Sequence, residues 1–171
     1  MPKQRLVTRK AQRTANYVEA CLDADERQYF YGCARIALQN LDFSQSSARE
    51  IEQTNVERLL LSFQLSGCFR LDRCYHVPAV IDLALLRTAL IQTGATIDDL
   101  RSSDSARWPR LEFSLGVNLE CLHGQHRILA ARQYLYKAEQ WWVVDLYSSG
   151  KSTVYPAAIV LIHYRHQLTS P

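Results

Sequence analysis

Apolar positions fall into two spacings along this chain. Val56, Leu59, Leu60 and Phe63 recur at i, i+3, i+4 and i+7, a period that puts them on one face of a helix. That helix is predicted over residues 55–66, with Asn55 as its cap and Gly67 just past its end. A second helix is predicted over residues 83–93, between a capping Asp82 and a terminating Gly94. A turn of helix running into a polar loop is expected over 97–104. The last helix spans 125–136 and opens after Gly124. Extended segments are predicted at 34–43, 68–71, 77–81, 111–117 (broken by Gly116), 119–122 and 141–147. Pro78 cannot donate to a ladder, so its strand is expected at a sheet edge or beginning after that residue. Trp141 and Trp142 should point to opposite faces of their strand. Strands and helices alternate without a repeat, which predicts an α+β fold, a small mixed sheet with packed helices.

Length and composition narrow the class. A chain of 171 residues, 47% apolar and 22% charged, is long enough for one domain with a real core. The net charge of +3 argues for no strong nucleic-acid or membrane partner. The expected site is intracellular, cytoplasmic or nuclear. No secretory signal is visible, and the apolar run 157–162 is too short to span a bilayer. Five cysteines, an odd number without a Cys-x-x-Cys pair, read as reduced thiols, with Cys121 a buried structural one. The cations are mostly Arg, sixteen against four Lys. Five basic residues and no acid occupy positions 1–18, a tail that could also reach nucleic acid. Residues 1–33 are read as a partly disordered basic extension, 34–147 as the domain, and 148–171 as a divergent tail.

The segment with the most chemical content is Leu119–Arg132: a short apolar strand, a turn at Gly124, then a helix opening on Gln125, His126 and Arg127. The first amides of a helix have no partner within it and carry the positive end of its dipole, so an anion is stabilised there. Two cationic or polarisable side chains in that turn favour a phosphate. The alternative is an ordinary junction in which Arg127 pairs with a carboxylate such as Glu120 or Asp145. Gly150–Thr153 imitates the end of a P-loop, but Asp145 stands where its first glycine belongs and Pro156 interrupts the helix that should follow. Neither Cys121, His123 and His126 nor His163 and His166 make a complete zinc set, and no metal is assigned.

Gly124, Gln125, His126, Arg127, Ala130 and Ala131 match the strand–turn–helix motif of the ParB/sulfiredoxin-like superfamily position by position. The helix 55–63, Gly67 and the strand at His76–Ile81 look like its first box. More narrowly, Cys121–Arg127 and Trp141–Tyr147 resemble a family of fungal proteins of unassigned activity. The resemblance covers about residues 34–147, and the chain looks like a truncated member. It implies a nucleotide- or phosphate-binding domain with Gly124, Gln125, His126 and Arg127 at the phosphates, and a nucleoside triphosphate with Mg as the possible cofactor. Sulfiredoxin chemistry needs a cysteine directly after the glycine, and Gln125 stands there. Phosphoryl transfer or hydrolysis would need a carboxylate base, for which Glu57 and Glu120 are the candidates by type. A non-catalytic interaction module or a fragment of a larger protein is the competing expectation, and a nucleic-acid-associated regulator the third.

Overall fold

The computed structural model describes residues 29–44 and 51–149. In chain order these form β1 (Phe30–Ala37), β2 (Leu41–Asp42), α1 (Gln53–Ser66), β3 (Val77–Ile81), α2 (Leu83–Thr93), α3 (Ile97–Leu100), β4 (Arg110–Leu111), β5 (Leu119–Cys121), α4 (Gln125–Tyr134) and β6 (Trp141–Ser148). The strands make one mixed sheet in the order β2-β5-β3-β6-β1-β4. At its centre β6 runs antiparallel to β1 and parallel to β3.

The pleat sorts the residues into two faces. Ala34 and Ile36 of β1, Val77 and Ala79 of β3, and Trp142, Val144 and Leu146 of β6 are register partners, so they share a face. That face holds the main core. Val56 and Phe63 of α1, Leu86, Ala89 and Leu90 of α2, Leu100 of α3, and Ile128, Ala130 and Ala131 of α4 pack into the same cluster. All four helices therefore bury their apolar stripes on one side of the sheet. Ala130 and Ala131 are fully buried. Their small side chains let α4 lie close against the sheet.

The opposite face carries Cys33, Val143, Asp145 and Tyr147. Among the described residues its apolar cover is thin: Trp108 joins Cys33 and Val143, and Phe30, Tyr29, Val80 and Leu122 gather around Tyr147. A bulge at the start of β1 sets Gly32, not Tyr31, opposite Leu146. Gly32 has φ 134°, and a Cβ there would overlap the backbone of Leu100, so only glycine lets β1 and α3 approach this closely.

Several elements form where the pattern places them. The second helix runs Leu83–Thr93, with the Asp82 carboxylate accepting from the Ala84 and Leu85 amides and Gly94 at its end. Trp142 enters the core while Trp141 faces the other way. Other expectations change, among them the extended segment at 68–71, which forms no strand. The segment 34–43 is two strands joined by a 3-10 turn over Leu38–Asn40, because β1 lies near one edge of the sheet and β2 forms the other. Of the strand expected at 111–117 only Leu111 is extended, joined with Arg110 in β4, after which the chain turns, with the Val117 amide donating to the Ser114 carbonyl. Pro78 sits in an interior strand, between β5 and β6. It faces the end of β5, where its carbonyl accepts from the Leu122 amide at 2.9 Å and no reciprocal bond forms. At the helix ends, Glu52 and not Asn55 holds the N-cap of α1, with the Asn55 side-chain Nδ2 donating to the Glu52 carboxylate. The last helix stops at Tyr134, two residues short of its expected end.

Candidate functional site

β5 runs through Leu122 and His123 into Gly124, which takes the left-handed conformation at φ 99° and N-caps α4. A Cβ at this position would meet Val77 Cγ2 at 2.9 Å. Backbone conformation and close packing on β3 thus both demand glycine here. Gly124 has no side chain to cap the helix, and no acid stands in its first turn. The Gly124 carbonyl accepts from the Ile128 amide, closing the first turn. Gln125, His126 and Arg127 are all half-buried.

The two cations have different partners. His126 Nε2 accepts from the Glu52 backbone amide at 3.1 Å. This bond brings the start of α1 against the start of α4, so two helix N-termini converge. With Nε2 accepting, the proton of the neutral ring sits on Nδ1, where it is a donor. Arg127 turns inward. Its Nη1 donates to the carbonyls of Tyr75 at 2.9 Å and His76 at 3.3 Å, and its guanidinium lies over the Tyr75 ring. Its Nε is buried without a hydrogen-bond partner among the described residues. Burial pushes the Arg127 guanidinium below its ordinary range. The carboxylate partner considered for Arg127 is replaced by two main-chain carbonyls.

The candidate bases are not gathered here. Glu57 is exposed on α1, and Glu120 is exposed on β5 opposite the inward-facing Cys121 direction. Among the described residues no hydrogen bond or ion pair joins either to Gly124–Arg127. Cys121 is fully buried in the main core, and burial pushes its thiol up to about 12. It is a packing group and not a nucleophile. The Gly150–Thr153 segment, His163, His166 and the basic residues of positions 1–18 lie outside the described residues.

A second polar cluster lies on the other face of the sheet. Cys33 and Asp145 are cross-strand partners on β1 and β6, and His76 reaches them from just before β3. The Cys33 thiol donates to Asp145 Oδ1 at 3.2 Å, and His76 Nδ1 lies 2.7 Å from the same oxygen. His76 is the one fully buried polar side chain among the described residues, and the edge of its ring meets Trp108 at 83°. Burial, followed by the charge of Asp145, pushes the Cys33 thiol far up. Thiol and imidazole lie 4.0 Å apart with the carboxylate against both, and a thiol held in its protonated form by burial and by that charge is not an activated nucleophile. These residues are 43, 69 and 112 positions apart pairwise, and no local spacing could have signalled them.

Among the described residues no helix is long and apolar enough to cross a membrane. No curated protein and no solved structure matches the chain. A match to the protein family of unknown function DUF3723, in its N-terminal domain, covers residues 29–162, from the start of β1 to beyond the end of β6. The chain belongs to the DUF3723 N-terminal domain family.

Proposed function

We propose that this domain binds a phosphate-bearing ligand, a nucleotide foremost, where α4 begins, within a ParB/sulfiredoxin-like core. The observation that carries the reading is the meeting of two helix N-termini at His126, with α4 opening on a glycine and no acid in its first turn. Two dipoles directed at one place favour a negative guest. The order of β5, the Gly124 turn and α4 supports the same reading, as does the likeness of Gly124–Ala131 to the superfamily motif. Gln125 and His126 contact the ligand through their amides and side chains. Arg127 acts from behind: it ties α4 to the Tyr75 and His76 carbonyls and lends its charge to the site.

A single substitution separates this role from plain structure. Gln125→Glu keeps shape but adds a negative charge in the first turn of α4, where it stabilises the helix and repels an anion. Thermal shift of the full chain with CTP, ATP or ADP, with and without Mg, and with inorganic phosphate should raise the wild-type midpoint. In Gln125→Glu the ligand-free midpoint should stay or rise while the ligand-dependent gain disappears. No gain with any of these ligands in the wild type favours the non-catalytic interaction module, and a gain that persists in Gln125→Glu places the ligand elsewhere.

A further inference from the structure

We infer that Cys33, His76 and Asp145 form a binding site for a zinc-class divalent cation on the sheet face opposite the helices. The inference is independent of phosphate binding at α4.

The donor set comes first. One thiol sulfur, one imidazole nitrogen and one carboxylate oxygen lie within 4.8 Å of one another, the first two on buried residues and the carboxylate on a largely buried one. Such a mixed set suits a borderline-soft ion such as zinc, whereas Mg and Ca take oxygen donors. The individual separations are 3.2 Å from Sγ to Oδ1, 2.7 Å from Nδ1 to Oδ1 and 4.0 Å from Sγ to Nδ1. Zinc bonds to sulfur, nitrogen and oxygen arranged as a tetrahedron place their donors about 3.3–3.6 Å apart. Shifts of roughly 0.3–0.6 Å, within reach of side-chain rotation, convert one arrangement into the other.

The surroundings complete the case. A metal-bound imidazole needs an acceptor for its other ring N–H. The Leu71 carbonyl lies 3.4 Å from His76 Nε2 and is placed to be that acceptor. The His76 carbonyl is held by Arg127, so the backbone that carries the ring is anchored. Charge also closes: a divalent cation with one thiolate and one carboxylate is neutral, which is what a buried site requires. Arg73, exposed and screened by solvent, adds a positive charge within electrostatic reach of Cys33 and favours its thiolate. Asp145 keeps 13% of its side chain exposed, so the ion reaches the site from that side, and a water completes four-coordination there.

Binding replaces the Cys33 S–H bond with a sulfur–metal bond and releases one proton to solvent. A His76 ring that carries one proton keeps it on Nε2, facing the Leu71 carbonyl, while Nδ1 takes the metal, and nothing is oxidised or reduced.

The test uses the full chain with Co(II) and Zn(II). One equivalent of Co(II) should produce thiolate-to-cobalt charge-transfer absorption, and Zn(II) should displace it while about one proton per ion is released. Cys33→Ser should abolish the band, and Asp145→Asn or His76→Gln should weaken affinity at least tenfold. Cys68→Ser with Cys74→Ser removes the two half-buried thiols among the described residues and should leave the band intact. X-ray absorption of the zinc-loaded wild type needs no variant to fold, and should find one sulfur at about 2.3 Å among nitrogen and oxygen ligands. The inference is overturned by wild-type protein that takes up no metal at one equivalent, by a band that survives Cys33→Ser, or by a zinc shell without sulfur.

Discussion

The two faces of the sheet are built from the same strands by opposite rules. On the helix-covered face, β1, β3 and β6 present Ala, Ile, Val, Leu and Trp, and four helices seal them into one cluster. On the other face, the same strands present Cys33, Arg35, Val143 and Asp145, whose polar groups make directional contacts. Arg35 donates to the Ser105 carbonyl and lies over Trp141. Arg70 stacks on that same ring at 3.5 Å while its other bonds reach Glu139 and the Trp141 carbonyl. Trp108 donates to the Ser102 carbonyl. Area holds the first face together, and directional contacts hold the second. The hydrophobic effect is non-directional and scales with area, so it stabilises without dictating chemistry. A buried polar group is tolerated only when paired, and such pairing can be exchanged for a ligand.

Neighbouring tryptophans give the sharpest way to break the comparison. Trp142→Ala empties a fully buried site and removes the indole N–H that shares the Tyr75 carbonyl with Arg127, so urea unfolding should show a loss of about 3–5 kcal/mol. Trp141→Ala, one residue away, removes two cation–π contacts worth about 0.5–1 kcal/mol each and should cost about 1–2 kcal/mol. Equal losses would mean that both faces are packed alike.

Next in size is the junction where β5 feeds α4. Gly124→Ala forces an alanine into the left-handed region against Val77, at a cost of roughly 1–3 kcal/mol in the same assay. Adding Val77→Ala should recover none of the backbone strain, so a double variant as stable as the wild type would remove the conformational argument.

The smallest effect belongs to the exposed rim of the second face. Hydrogen bonding from Arg70, and then its charge, hold the Glu139 carboxyl below the usual carboxylate range. A folded-state pKa below the unfolded one stabilises above the unfolded value and loses that stability as pH falls through the folded one. The wild type should therefore melt slightly above Glu139→Gln at neutral pH. The gap should close on acidification below the ordinary carboxylate range and shrink in high salt.

Much of the first face could be read along the chain. Helix α1 follows from the spacing of Val56, Leu59, Leu60 and Phe63, and α2 from Asp82 and Gly94, because amphipathic period and capping are local properties. The turn at Gly124 was legible for the same reason: strand, glycine and helix are contiguous. The inward turn of Arg127 was not, since its acceptors lie about fifty positions earlier, on a segment that folding brings beneath α4. Splitting 34–43 between two strands and seating Pro78 inside the sheet were equally hidden, because strand order depends on partners far away in sequence. Cys33 read as a reduced thiol, His76 as the start of a strand and Asp145 as a candidate partner of Arg127, and nothing in their neighbourhoods pointed to one another.

Local order is what the chain carries in its own letters: helical period, cap residues and the glycine hinge, all set by interactions within a few positions. Placement of chemistry belongs to the assembled sheet. Register across β1 and β6 puts a thiol opposite a carboxylate, and the close of β3 on β6 adds an imidazole, because side chains on one pleated face meet through strand pairing and not through sequence distance.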